Sequence, residues 1–139
     1  MFDLTALTIV MRWLHLVCMA VLVGGAIFAR LVMTHTIGGA APEARDALAN
    51  RAAVAFRPLV IAAIIGLVVS GIYKFFFTTG HSLRHNILFG FKIALALHVF
   101  AAALLIARTG NPRRRRMLTG MAISGVAIVL ISACLGRIY

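Results

Sequence analysis

Carboxylates are nearly missing from this chain. Of 139 residues only three are Asp or Glu, against fourteen Lys and Arg, and the net charge is +11. Asp3, Glu43 and Asp46 all lie outside the long apolar runs. Proton pumping through intramembrane carboxylates and hydrolysis by a Ser, His, Asp arrangement therefore lack their residues. The glycines of GGAIFAR form neither a dinucleotide fingerprint nor a P-loop. There are two cysteines, Cys18 and Cys134. They fall toward opposite halves of the membrane in the topology derived below, so no disulfide is expected. No internal repeat and no low-complexity segment is present.

What the chain does have is apolar length. Hydrophobic residues make up 63% and charged residues 12%, and the mean hydropathy is +1.04. A soluble domain this short cannot hide so much apolar surface, and disorder is excluded by the same composition. The sequence reads as an integral membrane protein. Four apolar runs, at roughly 6–33, 57–77, 86–108 and 117–136, are each long enough to span a bilayer as a helix. Open sheet edges cannot face lipid. The expected fold is all-α, an integral membrane four-helix bundle with residues 1–139 as one domain. Only short loops and tails remain between the spans. Asp3, the absence of an early Lys or Arg, and the length of the first run speak against a cleaved signal peptide.

Arginine sets the expected topology. Arg30, Arg45, Arg51, Arg57, Arg108 and the run Arg113 to Arg116 flank the 1–2 and 3–4 loops. Arg12, Lys74, Arg84 and Arg137 lie toward the other side. The positive-inside rule puts the first group in the cytoplasm, with both termini outside, in a bacterial-type inner membrane. Beside a span, the polybasic run reads as an anchor to anionic lipid rather than a nucleic-acid site. Pro42, Glu43 and the following alanines predict a helix that runs on toward the second span, with a bend near Pro58. Gly24 and Gly25, Gly66, Ser70 and Gly71, and Gly120 with Ser124 mark expected close helix contacts.

Ionisable groups inside lipid are costly, about 2.5 to 3.5 kcal/mol for a Lys or Arg at the centre of a span. His15, Lys92 and His98 are the candidates. Met11, His15, Cys18 and Met19 share one helical face. His15 can ligate haem iron, with Arg12 pairing a propionate near the interface. Alternatively, Met11, His15, Cys18 and Met19 offer a soft Cu(I) site. Ordinary packing, with His15 bonded to a neighbouring helix, is the third reading. Lys92 lies roughly 10 Å inside the third span. It can snorkel, meet a propionate, transfer protons or, rarely, ligate iron. His98 lies about 9 Å deeper, and six residues at roughly 100° each turn it to a different face from Lys92. Paired with His15 it would complete a bis-imidazole haem site; bonded across helices it would be structural. Imidazole is neutral at pH 7 and Lys is not, which favours His98 as second ligand. Lys74, at the end of its span, reads as snorkelling. His81, His85 and His35 read as loop or interface residues.

The stretch RWLHLVCMAVLVGGAIFARL, Arg12 to Leu31, resembles the first helix of small CopD-like (copper-resistance D) membrane proteins. VVSGIY, Val68 to Tyr73, and GFKIALAL, Gly90 to Leu97, are similar to that group's second and third helices. The superfamily includes the HemJ-type protoporphyrinogen oxidases. Their pattern of an intramembrane His, a later Arg-Leu and His, and a third-helix Lys is met by His15, Arg30, Leu31, His35 and Lys92. The resemblance implies haem b, His15 as a ligand, and Lys92 as a second functional or ligating residue. Phe89 to Phe91 stand where that branch has a His and a Trp, so the likeness reaches the haem pocket further than the oxidase activity. The leading expectation is a haem b protein for electron transfer or a haem-linked oxidation. Its rivals are copper transport or tolerance, and a cofactor-free subunit of a larger membrane complex or homo-oligomer.

Overall fold

The computed structural model describes residues 3–77, 83–108, 110 and 112–136. Among these residues the chain forms four long helices and no strand. All four are long and apolar enough to cross a membrane. The expected all-α membrane bundle is what the chain builds.

Helix α1 (Leu4–Ile37) is α-helical over Leu4–Phe28, turns as a π-helix over Ala29–Met33, and is α-helical again over Thr34–Ile37. It extends past the expected end near residue 33, because no helix breaker stands before Gly38 and Gly39. Helix α2 (Pro42–Phe77) is continuous: the helix expected after the first loop does run on into the second span, as one element. Pro58 sits inside it. The proline removes the amide that would bond the carbonyl of Val54. Both residues are exposed, so no core packing depends on that bond. Helices α3 (Leu83–Ile106) and α4 (Arg114–Gly136) complete the bundle. At 34 and 36 residues, α1 and α2 would each reach about 50 Å, against roughly 30 Å of hydrocarbon. The surplus of both collects at the end that holds the α1–α2 loop.

Cross-helix contacts show α1 and α2 running antiparallel. Thr8 Oγ1 lies 3.0 Å from Tyr73 Oη, and His15 meets Ser70 one step further in. A Cβ on Gly66 would collide with Cys18 Sγ, and one on Gly25 would stand 2.7 Å from Phe56 Cζ. The same inward march links α1 to α4, where a Gly125 Cβ would be 2.8 Å from Val23 Cγ2. Arg30 Nε donates to Thr119 Oγ1 at 2.7 Å further along. Gly25, Gly66 and Gly125 leave the room that the Phe56, Cys18 and Val23 side chains occupy, so an added Cβ at any of them would force a shift. Gly24 and Gly71, expected at contacts, would meet nothing within 4 Å, whereas the contact at Gly125 is one that the small-residue spacing does not mark.

The core joins Leu22 and Ala26 of α1, Val60 of α2, Val99 and Ala103 of α3, and Met121 of α4. Large side chains such as Trp13, Phe76 and Leu130 are 63%, 75% and 66% exposed. In water such a surface would aggregate; in a bilayer it is the lipid face. Cys18 is buried, Cys134 is exposed, and both are free.

At the arginine-rich end, side chains cap α3. Arg57 Nη2 donates to Ala107 O at 3.0 Å and Arg114 Nη2 to Arg108 O at 2.8 Å. Cationic donors on the last carbonyls satisfy a helix C-terminus and its negative dipole end. Asn50 Oδ1 ties the turn by accepting from Arg114 Nη2 at 3.0 Å and from the Gly110 amide at 3.2 Å. Gly110 has φ +72, a left-handed conformation that favours glycine. Helices α3 and α4 pack extensively, as do α1 and α2, whereas α2 and α3 meet only thinly. That thin seam opens into the site.

Candidate functional site

Between α2 and α3, floored by α1, lies a cavity of about 430 Å³, a size ordinary for small-molecule sites. His15 and Met19 of α1, Leu67 and Lys74 of α2, and Lys92 and Phe100 of α3 are among its walls. Among the described residues no carboxylate lines it. Phe75 and Phe89 stack across the seam with ring centroids 5.8 Å apart and bridge α2 to α3.

His15 enters this cavity in a defined orientation. Its Nδ1 lies 2.8 Å from Ser70 Oγ, and Ser70 is 1% exposed. The Ser70 hydroxyl also lies 3.2 Å from Leu67 O, one turn back on the same helix, to which it can donate its single proton. In that arrangement it accepts from the imidazole and the ring proton sits on Nδ1; with the hydroxyl proton turned to His15 instead, Nδ1 accepts and Nε2 carries the proton. In the first arrangement Nε2 keeps its lone pair, and it makes no hydrogen bond to a described residue. A neutral imidazole fixed this way is a ready iron or metal ligand. Interhelical hydrogen bonds of this kind contribute about 0.6 kcal/mol on average in a membrane, so the bond orients the ring more than it stabilises the bundle.

The fold brings some of the expected residues together and separates others. His15 and Lys92 line one cavity, which Met19 also joins. His98 does not reach it. It is exposed, and its Nε2 lies 3.8 Å from where a Cβ on Gly120 of α4 would stand. The reason is helical phase: with Lys92 turned to the seam, a residue six positions on is carried toward α4. The expected pairing of His15 with His98 is not assembled. Arg12 is exposed and lies outside the cavity. Met11 and Cys18 also lie outside, Cys18 because its sulfur packs against Gly66. Among the described residues no three of His, Cys, Asp and Glu gather at one point.

The residues matching the HemJ-type pattern divide between the two ends of the bundle. His15 and Lys92 share the seam cavity, while Arg30, Leu31 and His35 line a second one at the arginine-rich end. His81 lies outside the described residues, as does the side chain of His85. Sequence reasoning missed two polar members of the site. In the sequence Ser70 reads only as a small packing residue, and Lys74 as a snorkelling one. Their signal was spacing: Ser70 and Lys74 are four apart and share a face of α2. No protein-family model matches the chain, and no curated protein or solved structure matches it.

Proposed function

We propose that the chain is a membrane-embedded haem b protein, with the macrocycle in the seam cavity and His15 Nε2 as an iron ligand. The observation that carries this reading is the 2.8 Å hydrogen bond between His15 Nδ1 and Ser70 Oγ. Ligating histidines characteristically donate their second ring nitrogen to such a partner, which fixes the tautomer and raises ligand basicity. The rest of the cavity suits the group. Leu67, Phe75, Phe89 and Phe100 offer apolar and aromatic walls, and Lys74 and Lys92 offer cations for propionates. Bound haem would supply one-electron chemistry, its potential set by axial ligation and the apolar surroundings.

The chain's own residues bind, orient and exclude water. Ser70 holds the imidazole, the Phe75 and Phe89 stack closes the seam, and Lys92 is placed to hold or pass a proton. His15 would hold the iron, and His98, which lies outside the cavity, would take no part. The resemblance to CopD-like proteins supports the same pocket and adds electron transfer or a haem-linked oxidation as the activity. The copper reading loses support because two of its four ligands, Met11 and Cys18, stand outside the cavity. The arginine asymmetry supports an inner-membrane location with both termini outside.

Haem content tests the proposal. Wild-type protein produced with ample haem and purified in detergent should show a Soret band that shifts on reduction. His15→Ala should lower haem per protein several-fold, whereas His35→Ala and His98→Ala should leave it near wild type. Lys92→Met should weaken binding without abolishing it. A wild-type protein without a Soret band under these conditions would overturn the reading.

A further inference from the structure

The arginine-rich end holds a second and larger cavity, of about 1130 Å³. Both ends of the α1–α2 connection, the last turn of α3 and the first turn of α4 form its walls. Arg30, Arg45, Arg114 and Arg115 line it, with Asp46 as the single carboxylate among the described residues. Four guanidinium groups around one space repel one another, and an anion placed among them would relieve that repulsion.

Three of the four are held by the fold. Arg30 Nε donates to Thr119 Oγ1 at 2.7 Å, Arg45 Nε to Ala40 O at 3.2 Å, and Arg114 Nη2 to Asn50 and Arg108. Arg114 Nε is buried with no hydrogen-bond partner among the described residues. A buried unpaired donor is costly, and the cost falls if a ligand oxygen accepts from it. Arg30 itself stands in the π-helical turn Ala29–Met33, a form of backbone that recurs at functional sites. Thr34 Oγ1 supports the turn by donating to Ala29 O at 2.9 Å.

Away from the guanidinium groups the cavity is apolar, with Ala26, Phe56, Val60, Ala103 and Leu118 on its walls. It is therefore amphipathic, cationic at one side and hydrocarbon-like at the other. A free phosphate would use only the first side. Guanidinium forks match phosphate oxygens in pairs, and basic pockets between membrane helices are places where anionic lipid headgroups bind. We propose that this cavity is a specific site for an anionic phospholipid, its phosphate on Arg30, Arg45, Arg114 and Arg115 and an acyl chain along the Phe56 and Val60 wall. With four cations against one carboxylate, a headgroup bearing two phosphate charges fits better than one bearing a single charge.

Native mass spectrometry of the full chain in neutral detergent, with no haem added, tests this separately from the haem reading. The probes are cardiolipin, phosphatidylglycerol, phosphatidylcholine and inorganic phosphate. Cardiolipin should remain bound at the lowest added concentration, and phosphatidylcholine should bind at least tenfold more weakly. Arg45→Gln with Arg115→Gln should weaken cardiolipin about tenfold or more. Arg113→Gln with Arg116→Gln removes the same charge from residues outside the cavity and should have little effect. Ala53→Phe, which fills the wall, should weaken lipid binding but not any phosphate binding. Equal losses in the two arginine pairs would mean a diffuse surface field and would overturn the site. Displacement of cardiolipin by inorganic phosphate at comparable concentration would overturn the lipid assignment.

Discussion

Ser70→Ala is the sharpest probe of the seam cavity. The substitution removes one oxygen from a side chain that is 1% exposed and leaves its Cβ in place. Two hydrogen bonds go with it, the 2.8 Å contact to His15 Nδ1 and the 3.2 Å bond to Leu67 O. The second is a local back-bond whose carbonyl already serves the helix ladder, so its loss matters little. Among the described residues the first is the only hydrogen bond to the imidazole. For the ligand-free bundle the expected loss is about 0.6 kcal/mol and no more than roughly 1.7 kcal/mol, the span measured for hydrogen bonds between membrane helices. For haem the loss should be larger, because an outer partner of a ligating histidine typically matters by about 10- to 100-fold in affinity. That range corresponds to about 1.4 to 2.8 kcal/mol. Titration of haem into the detergent-solubilised protein, followed at the Soret band, reads the affinity. Thermal unfolding of the ligand-free protein reads the stability. Ser70→Ala with wild-type haem affinity and an unchanged spectrum would refute the claim that Ser70 orients the ligand. An equal penalty on bundle stability and on haem binding would reduce Ser70 to a packing residue.

Gly71→Leu should abolish haem uptake while the bundle stays folded, because a Cβ there meets nothing within 4 Å and Gly71 lines the cavity; the same Soret titration and unfolding curve check both halves. Gly66→Ala should destabilise by about 1–3 kcal/mol through overpacking against Cys18. Most of that loss should return in the double variant with Cys18→Ala, and unfolding in detergent that shows no such recovery would place the strain elsewhere. A reporter active only in the cytoplasm, fused after Tyr139, should give no signal, and a strong signal would reverse the topology.

The class of protein was decided by composition and run length. Apolar segments of this length have to be helices in lipid, because a backbone without water must satisfy its own polar groups. That argument needs no tertiary contact, and it gave four helices with ends mostly within a few residues of those observed. The exceptions have local causes: α1 runs on to Ile37 because nothing stops it, and Pro58 stays inside α2 because its face is exposed. His15 and Lys92 stood out for the same kind of reason, since a charge or imidazole in hydrocarbon is conspicuous in any alignment of the helices. What the chain order left open was phase and partnership. Whether Lys92 or His98 turned toward His15 depended on the rotation of α3, which close packing against α4 sets. Ser70 became the partner of His15 only when Gly66, one turn earlier, let α2 approach Cys18 closely enough for the hydroxyl to reach across. Arg30, Arg45, Arg114 and Arg115 come from three separated stretches, and their union around one cavity follows from antiparallel helices ending at the same level. Hydrophobicity is a property each residue carries alone and can be summed along a chain, whereas a site is a set of distances, and those are settled by how the helices pack.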